Sequence, residues 1–204
     1  RKRPNWIATT RGPGSFTGTR ISVSAARNLA QLWELPVHSV ASPQFYLAHE
    51  ATRHKLPAEQ PLAVLLDGKQ ERVYAARATG LAAKEAAPII GQIVDRPPAE
   101  LFAEWTSAAG TQPTQELRIF CDDLPSVLAY PGAADAARSL LQQHNTLTEC
   151  SLPDAAALWK ICARGTEHVR IGDWRDLVPE YLRADPATSK FGPLGPQAQP
   201  ASEN

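Results

Sequence analysis

The residues best suited to chemistry sit in one run, Arg11-Gly12-Pro13-Gly14-Ser15-Phe16-Thr17-Gly18-Thr19-Arg20. Glycine reaches backbone angles that other residues avoid, and proline removes a donor, so the run breaks regular structure. A loop of this kind that opens a helix aims unpaired N–H groups and the positive end of the helix dipole at a phosphate or carboxylate. Gly12, Gly14, Ser15, Thr17 and Gly18 are therefore the candidate anion-binding residues, and Arg11 and Arg20 add charge. The competing reading is a tight turn followed by a helix that Thr17 or Thr19 caps. No Gly-Lys-Ser/Thr closes the loop, so it is not a P-loop. Its G-x-G-x-x-x-G spacing is one residue longer than a dinucleotide fingerprint.

Other reactive side chains are scattered. Asp67 ends an apolar run and opens the turn Gly68-Lys69-Gln70, which reads as a turn aspartate with no acidic partner nearby in sequence. Asp122 and Asp123 follow a second apolar run, and ligands collect at the carboxyl ends of strands in α/β sheets. Adjacent residues point different ways, so this pair also reads as the start of a turn. His49 and His54 are five apart, not the four that put two ligands on one helix face, so no metal site is expected. Cys121, Cys150 and Cys162 are odd in number and lack metal-binding spacing, which suits reduced thiols in a cytoplasmic protein. No nucleophile stands beside a base and no carboxylates pair, so no catalytic residue is assigned and a binding or scaffold role is favoured over an enzyme.

The elements that must position the loop follow from pattern. Residues 6–10 read as a strand, the stretch between Gly18 and Pro36 as a helix, and residues 36–40 as the next strand. The helix carries two apolar stripes: Ile21, Ala25, Asn28, Leu32, Leu35, and Ser22, Ala26, Leu29, Ala30, Trp33. The second has small residues four apart, which would let another helix approach closely, so it is the candidate partner interface; the competing reading is a helix wholly inside one domain. A helix over 42–52 takes Ser42 as its cap and Pro43 at its first position. Residues 55–60 form a polar connector and the boundary between two units, 1–56 and 57–183. The second unit opens with a hairpin (62–66 and 72–79), then a loop over 80–87 and a strand over 89–94. Helices follow over 98–108, 133–143 and 154–164, with a linker at 111–115 and a strand at 117–121. Leu158, Trp159, Ile161 and Cys162 are read as the buried side of the last helix, with Gly165 ending it. From Ala184 onward the Pro, Gly, Gln and Ser content suits a disordered tail.

Composition narrows the class. The 204 residues carry 21 basic and 21 acidic side chains, so nothing global points to nucleic acid or a membrane surface. Arg1-Lys2-Arg3 is read as a solvated end. No apolar run is long enough to span a bilayer. Strands alternating with helices, with a hairpin opening the second half, give an α/β class with mixed sheets.

The run Gly12 to Gly18, the Leu-Pro-Val-His-Ser-Val-Ala-Ser at 35–42, and Pro179-Glu180-Tyr181-Leu182-Arg183 together resemble the TsaB (YeaZ) family. Asp67 with Arg72-Val73-Tyr74 matches a further segment of it. The paralogue TsaD also has a Gly-Pro-Gly loop, but without the Ser-Phe-Thr continuation and with a metal-binding His-x-x-x-His pair that is absent here. That missing pair also argues against a peptidase. The resemblance implies an actin-like ATPase (ribonuclease-H-like) fold of two lobes with mixed sheets. It also implies that the first lobe is incomplete, because family members carry an earlier hairpin and helix. It further implies a non-catalytic subunit that pairs with a TsaD-like catalytic subunit and works with a TsaE-like ATPase. The product is N6-threonylcarbamoylation of adenosine 37 in tRNAs reading ANN codons. Pairing is as a heterodimer or a homodimer, tRNA is met through the complex, and ATP and magnesium belong to the complex. The alternative is an ATP-dependent phosphotransferase or acyltransferase of the same superfamily, with Gly12 to Gly18 on phosphates and Asp67 or Asp122 near the metal.

Overall fold

The structure, a computed structural model, describes residues 4–57, 59–81, 88–109, 116–163 and 169–182. Two sheets organise them. The first begins with β1 (Ile7–Thr10), crosses over through α1 (Phe16–Trp33) and returns as β2 (Val37–Val40), parallel to β1. α2 (Ser42–Arg53) then leads to the second sheet, built from β3 (Leu62–Asp67), β4 (Val73–Leu81), β5 (Pro88–Ile90), β6 (Val94–Arg96), β7 (Arg118–Cys121) and β8 (Thr146–Glu149). Its order is β5-β4-β3-β7-β8, with β6 also on β4. β3, β7 and β8 run parallel, and β4 is antiparallel to β3. α3 (Pro98–Ala109), α4 (Leu124–Leu128) and α5 (Ala133–Leu141) lie between its later strands, and α6 (Ala155–Ala163) precedes β9 (Arg170–Gly172). The mixed α/β class is as expected.

β3 shows why this arrangement forms. Its Leu62-Ala63-Val64-Leu65-Leu66 is buried on both faces, as an unbroken apolar strand must be. Ala63 and Leu65 face Phe102, Trp105 and Leu140 of α3 and α5, while Leu62, Val64 and Leu66 face Leu47 and Ala51 of α2. α2 is shared between the sheets. Its Phe45 and Ala48 turn the other way, onto Val40 of β2 and Ile161 and Cys162 of α6.

Several expectations change. The second unit does not run on to residue 183: β9 pairs antiparallel with β2, and Leu177 packs under α1, so residues 170–177 belong with the first sheet. β8, β9 and α4 were not anticipated; they are short, and pairing with β7 and β2 supplies for the two strands what the local pattern lacks. α2 is capped by Ala41 with no side-chain bond, and Ser42 is already helical. Trp159 is 59% exposed and does not join Ile161 and Cys162 in the core, because it lies on the outer side of α6. The strand expected over 89–94 is split into β5 and β6, with Gly91 between them. β4 runs to Leu81, while residues 82–87, the 111–115 linker, Gly165 and the tail from 184 lie outside the described residues.

Leu47 joins the second sheet to the helix that also carries the first. Leu47→Ala is expected to cost about 2–5 kcal/mol, as for a fully buried leucine, read from urea unfolding.

Candidate functional site

The Gly-rich loop is built from its neighbours inward. Arg11 continues β1 by one rung, its N–H donating to Val40 O at 3.0 Å, and Gly12 O accepts from Ser42 N at 2.8 Å. Gly12 has φ +103°, and a Cβ there would lie 2.8 Å from the carbonyl oxygen of Glu180. Only glycine fits that approach. The Gly12–Pro13 peptide is cis. Arg11 and Glu180 complete the junction: the Glu180 N–H donates to Arg11 O at 2.7 Å, and Arg11 Nε donates to the Glu180 carboxylate at 2.9 Å. Arg11 Nη1 also donates to Ser39 O at 3.0 Å. Tyr181 stands against the start of α1, with its ring centroid 5.4 Å from Phe16 and its hydroxyl accepting from Arg20 Nε at 3.0 Å. The two motif segments, far apart in sequence, are therefore one packed unit.

Capping differs from the expectation. Ser15, not Thr17 or Thr19, caps α1, its Oγ accepting from Gly18 N at 3.3 Å. Thr17 is helical and exposed, while Thr19 is buried. The helix starts two residues earlier than the Gly18 boundary suggested, because glycine is tolerated in a first turn that the cap already holds.

Gly14, Ser15 and Gly18 line an open cleft of about 480 Å³, whose opposite wall carries Asp67, Lys69, Asp122 and Asp123. Gly12 and Thr17 do not line it. The carboxylates meet because β3 and β7 are parallel neighbours, with Leu65 paired to Cys121, so both strands end at the cleft. Sequence distance hid this. The Asp67 N–H donates to Asp122 Oδ1 at 2.7 Å. Asp123 caps α4 through one oxygen, accepting from Ser126 N at 3.2 Å, while its other oxygen lies 3.9 Å from the Lys69 ammonium. Asp67 accepts from Tyr130 Oη at 2.6 Å and from Lys69 N at 2.9 Å, and pairs with the Lys69 ammonium. Lys69, Gln70 and Glu71 all have positive φ, so the turn at the cleft rim is strained at non-glycine positions.

Burial pushes the Asp67 carboxyl up, but bonds from Lys69 and Tyr130 outweigh it and hold the group below the usual range. Asp122 lies above that range because burial and its acidic neighbours outweigh the bond from Asp67 N. Burial, with Asp122 nearby, pushes Tyr46 in the same cleft up to about 12. Burial likewise puts Cys121 at about 12 and Cys162 at about 11, so neither is a thiolate near neutral pH.

The histidines serve a carboxylate that sequence reading passed over. Glu50 on α2 is fully buried and accepts from both N and Oγ of Ser151 at 2.8 Å. His54 Nε2 lies 3.1 Å from Glu50, and His49 Nε2 lies 2.8 Å from Ser151 Oγ. This cluster ties α2 to the connector after β8. Among the described residues no group of His, Cys, Asp and Glu is placed to hold a metal ion.

The residues assigned to a partner interface divide. Ala26 and Ala30 are 4% and 0% exposed, packed on Val37 and Leu177. Their small size admits the chain's own sheet, not a partner helix. Ser22 is half-buried and its Oγ donates to Thr19 O at 3.0 Å; Trp33 is half-buried too. Leu29 is exposed, together with Ile21 and Leu32 of the other stripe at 64% and 72%.

The two aspartates contribute to stability with opposite signs. Asp67, depressed, adds stability that is present above the ordinary carboxylate pKa of about 4 and is lost as pH falls through its folded value. Asp122, raised, costs stability when ionised, and the cost disappears as pH falls below both its values. Asp122→Asn keeps an acceptor for the Asp67 N–H, so it should raise stability at neutral pH with the gain gone by about pH 3. Asp67→Asn should lower stability at neutral pH. Urea unfolding at the two pH values checks both.

A family model described as TsaD: tRNA N6-adenosine threonylcarbamoyltransferase matches residues 2–123. No curated protein matches the chain. Among solved structures, one from Pseudomonas aeruginosa, described as an uncharacterized protein with similarity to peptidase YEAZ, is 24% identical with a TM-score of 0.63, covering 88% of this chain and 74% of that one. YeaZ from Pseudomonas aeruginosa is 24% identical with a TM-score of 0.61, covering 87% and 74%. The likeness to these structures shows a shared fold, and the mixed α/β architecture fits the expected actin-like ATPase fold. The resemblance to TsaB (YeaZ) read from the motifs is thus met by a family model and by a fold. The chain belongs to the TsaD family and has the fold of the YeaZ structures.

Proposed function

We propose that this chain is a TsaB-type, non-catalytic subunit. It binds and activates a TsaD-like catalytic subunit for N6-threonylcarbamoylation of adenosine 37 in tRNAs reading ANN codons, alongside a TsaE-like ATPase. The observation that carries the reading is the outer side of α1, where Ile21, Leu29 and Leu32 are exposed on a helix otherwise pinned to its sheet. Apolar side chains repeated along one helix face suit a partner helix or groove. The cleft supports the same reading. Asp67 is occupied by Lys69 and Tyr130, and Ser15 caps its own helix, so neither is a free catalytic group. The docked partner is the catalytic subunit, with a homodimer as the competing pairing, and the complex works in the cytoplasm. Among the described residues no helix is long and apolar enough to cross a membrane.

A second reading rests on one observation: Gly14, Ser15 and Gly18 do face Asp67 and Asp122 across a single cleft. An ATP-dependent phosphotransferase or acyltransferase would place phosphates and a metal there. Against it, the cleft's lysine is already paired to Asp67 and Ser15 is engaged as the cap of α1.

The test is capture of a TsaD-like subunit and reconstituted tRNA modification. Ile21→Asp with Leu32→Asp should weaken capture at least about tenfold and reduce modification in step, while monomer stability changes by no more than about 0.5 kcal/mol per site. Unchanged capture would refute the face. Ala26→Trp, by contrast, should unfold the protomer by overpacking.

A further inference from the structure

The turn that joins β3 to β4 is built against its own backbone preference. Lys69, Gln70 and Glu71 stand in succession at φ +59°, +55° and +61°. Residues with a side chain rarely enter this region, and then singly, because Cβ crowds the following carbonyl oxygen. Gln70 and Glu71 are exposed, and among the described residues neither side chain makes a hydrogen bond or ion pair that offsets the cost.

What holds the turn is at its first left-handed residue. The Asp67 side chain is 3% exposed, and a buried carboxylate needs a counter-charge. Lys69 supplies it: its N–H donates to Asp67 Oδ1 at 2.9 Å, and its ammonium pairs with Asp67 Oδ2. The same ammonium lies 3.9 Å from Asp123 Oδ2. The base of the hairpin is fixed separately. Gly68 N donates to Arg72 O at 2.9 Å, and Arg72 pairs with Asp95 of β6. The ladder below it, with Asp67 opposite Val73 and Leu66 opposite Tyr74, is regular. Residues 69–71 are thus the part left to move, and the bond that spans them runs from Arg72 N to Lys69 O at 3.2 Å.

We propose that this turn is a two-state strap at the rim of the cleft, drawn closed by the Lys69–Asp67 pair against the strain of its three left-handed residues. Closed, it lays an ammonium on the acidic wall that Asp67, Asp122 and Asp123 form. Open, it withdraws that charge, and the carboxylates face the cleft without it. The strap therefore sets the charge that the cleft presents, and the strand register is the same in both states. Backbone strain of this kind persists where the surroundings hold it, and it gathers at switch segments.

The test is amide exchange in the full chain. It is read at Arg72, whose N–H spans the strap, with Gly68 at the hairpin base and Val64 in β3 as references. Lys69→Met keeps the aliphatic stem and removes the charge. It should speed exchange at Arg72 at least about tenfold, while Gly68 and Val64 stay within about twofold of the unaltered protein. Adding Gln70→Gly and Glu71→Gly to Lys69→Met takes the strain out of the closed form, because glycine adopts positive φ freely, and should restore most of the slow exchange at Arg72. Unchanged exchange at Arg72 in Lys69→Met would overturn the proposal, since the turn would then hold itself without the ion pair. Equal acceleration at Arg72, Gly68 and Val64 would overturn it too, because the whole hairpin would be loosening. Failure of the two glycines to restore protection would remove strain as the force that opens the strap.

Discussion

The structure depends on the junction between Arg11-Gly12 and Glu180. A guanidinium that is almost wholly buried must be paired, and among the described residues Glu180 and the Ser39 carbonyl pair with Arg11. Burial lowers its pKa and Glu180 opposes that shift. The same segment closes over Gly12 so tightly that a single added carbon would meet the Glu180 carbonyl oxygen. The loop thus has its angles, its first glycine and its arginine fixed by packing against the far end of the chain. α1 inherits its position from that junction: Ser15 starts it, Tyr181 braces Phe16 and Arg20, and Leu177 packs beneath Ala26 and Ala30. One face of α1 is consequently closed, and Ile21, Leu29 and Leu32 stay exposed on the other side.

α2 does for the two sheets what this junction does for the first. Its two apolar faces serve separate cores, and the buried Glu50 would be costly without its partners. Ser151, His54 and Arg53 supply them, so the helix is bonded to the connector that leads from β8 into α6. The cleft lies beside that seam and takes its character from it. Loop residues meet strand ends there, and the carboxylates are engaged by Lys69, Tyr130 and backbone amides.

Much of this was legible in the sequence. The strand, loop, helix and strand of the first forty residues follow from apolar period and glycine placement, and β3 from its unbroken apolar run. The loop and the Pro179 to Leu182 segment were each recognisable as motifs. Their contact was not, since nothing in a local pattern specifies a partner about 170 positions away. The same limit hid the meeting of Asp67 with Asp122, which depends on β3 and β7 being parallel neighbours. Ala26 and Ala30 were misplaced for another reason. A stripe of small residues signals a close approach without saying whether a sheet or a partner makes it, and here the chain's own β2 and Leu177 do. Ser15 was overlooked because Gly18 seemed to mark the helix start; a serine three residues before an exposed helical amide was the available signal.

The central claim is that the glycine loop works by packing and presentation, with no bound phosphate. Thermal unfolding of the full chain with and without saturating ATP and magnesium tests it most directly. The account predicts an unchanged midpoint. Stabilisation that grows with nucleotide as mass action requires, reaching about 2.7 kcal/mol at a hundredfold excess over the dissociation constant and lost in Asp67→Asn, would contradict it.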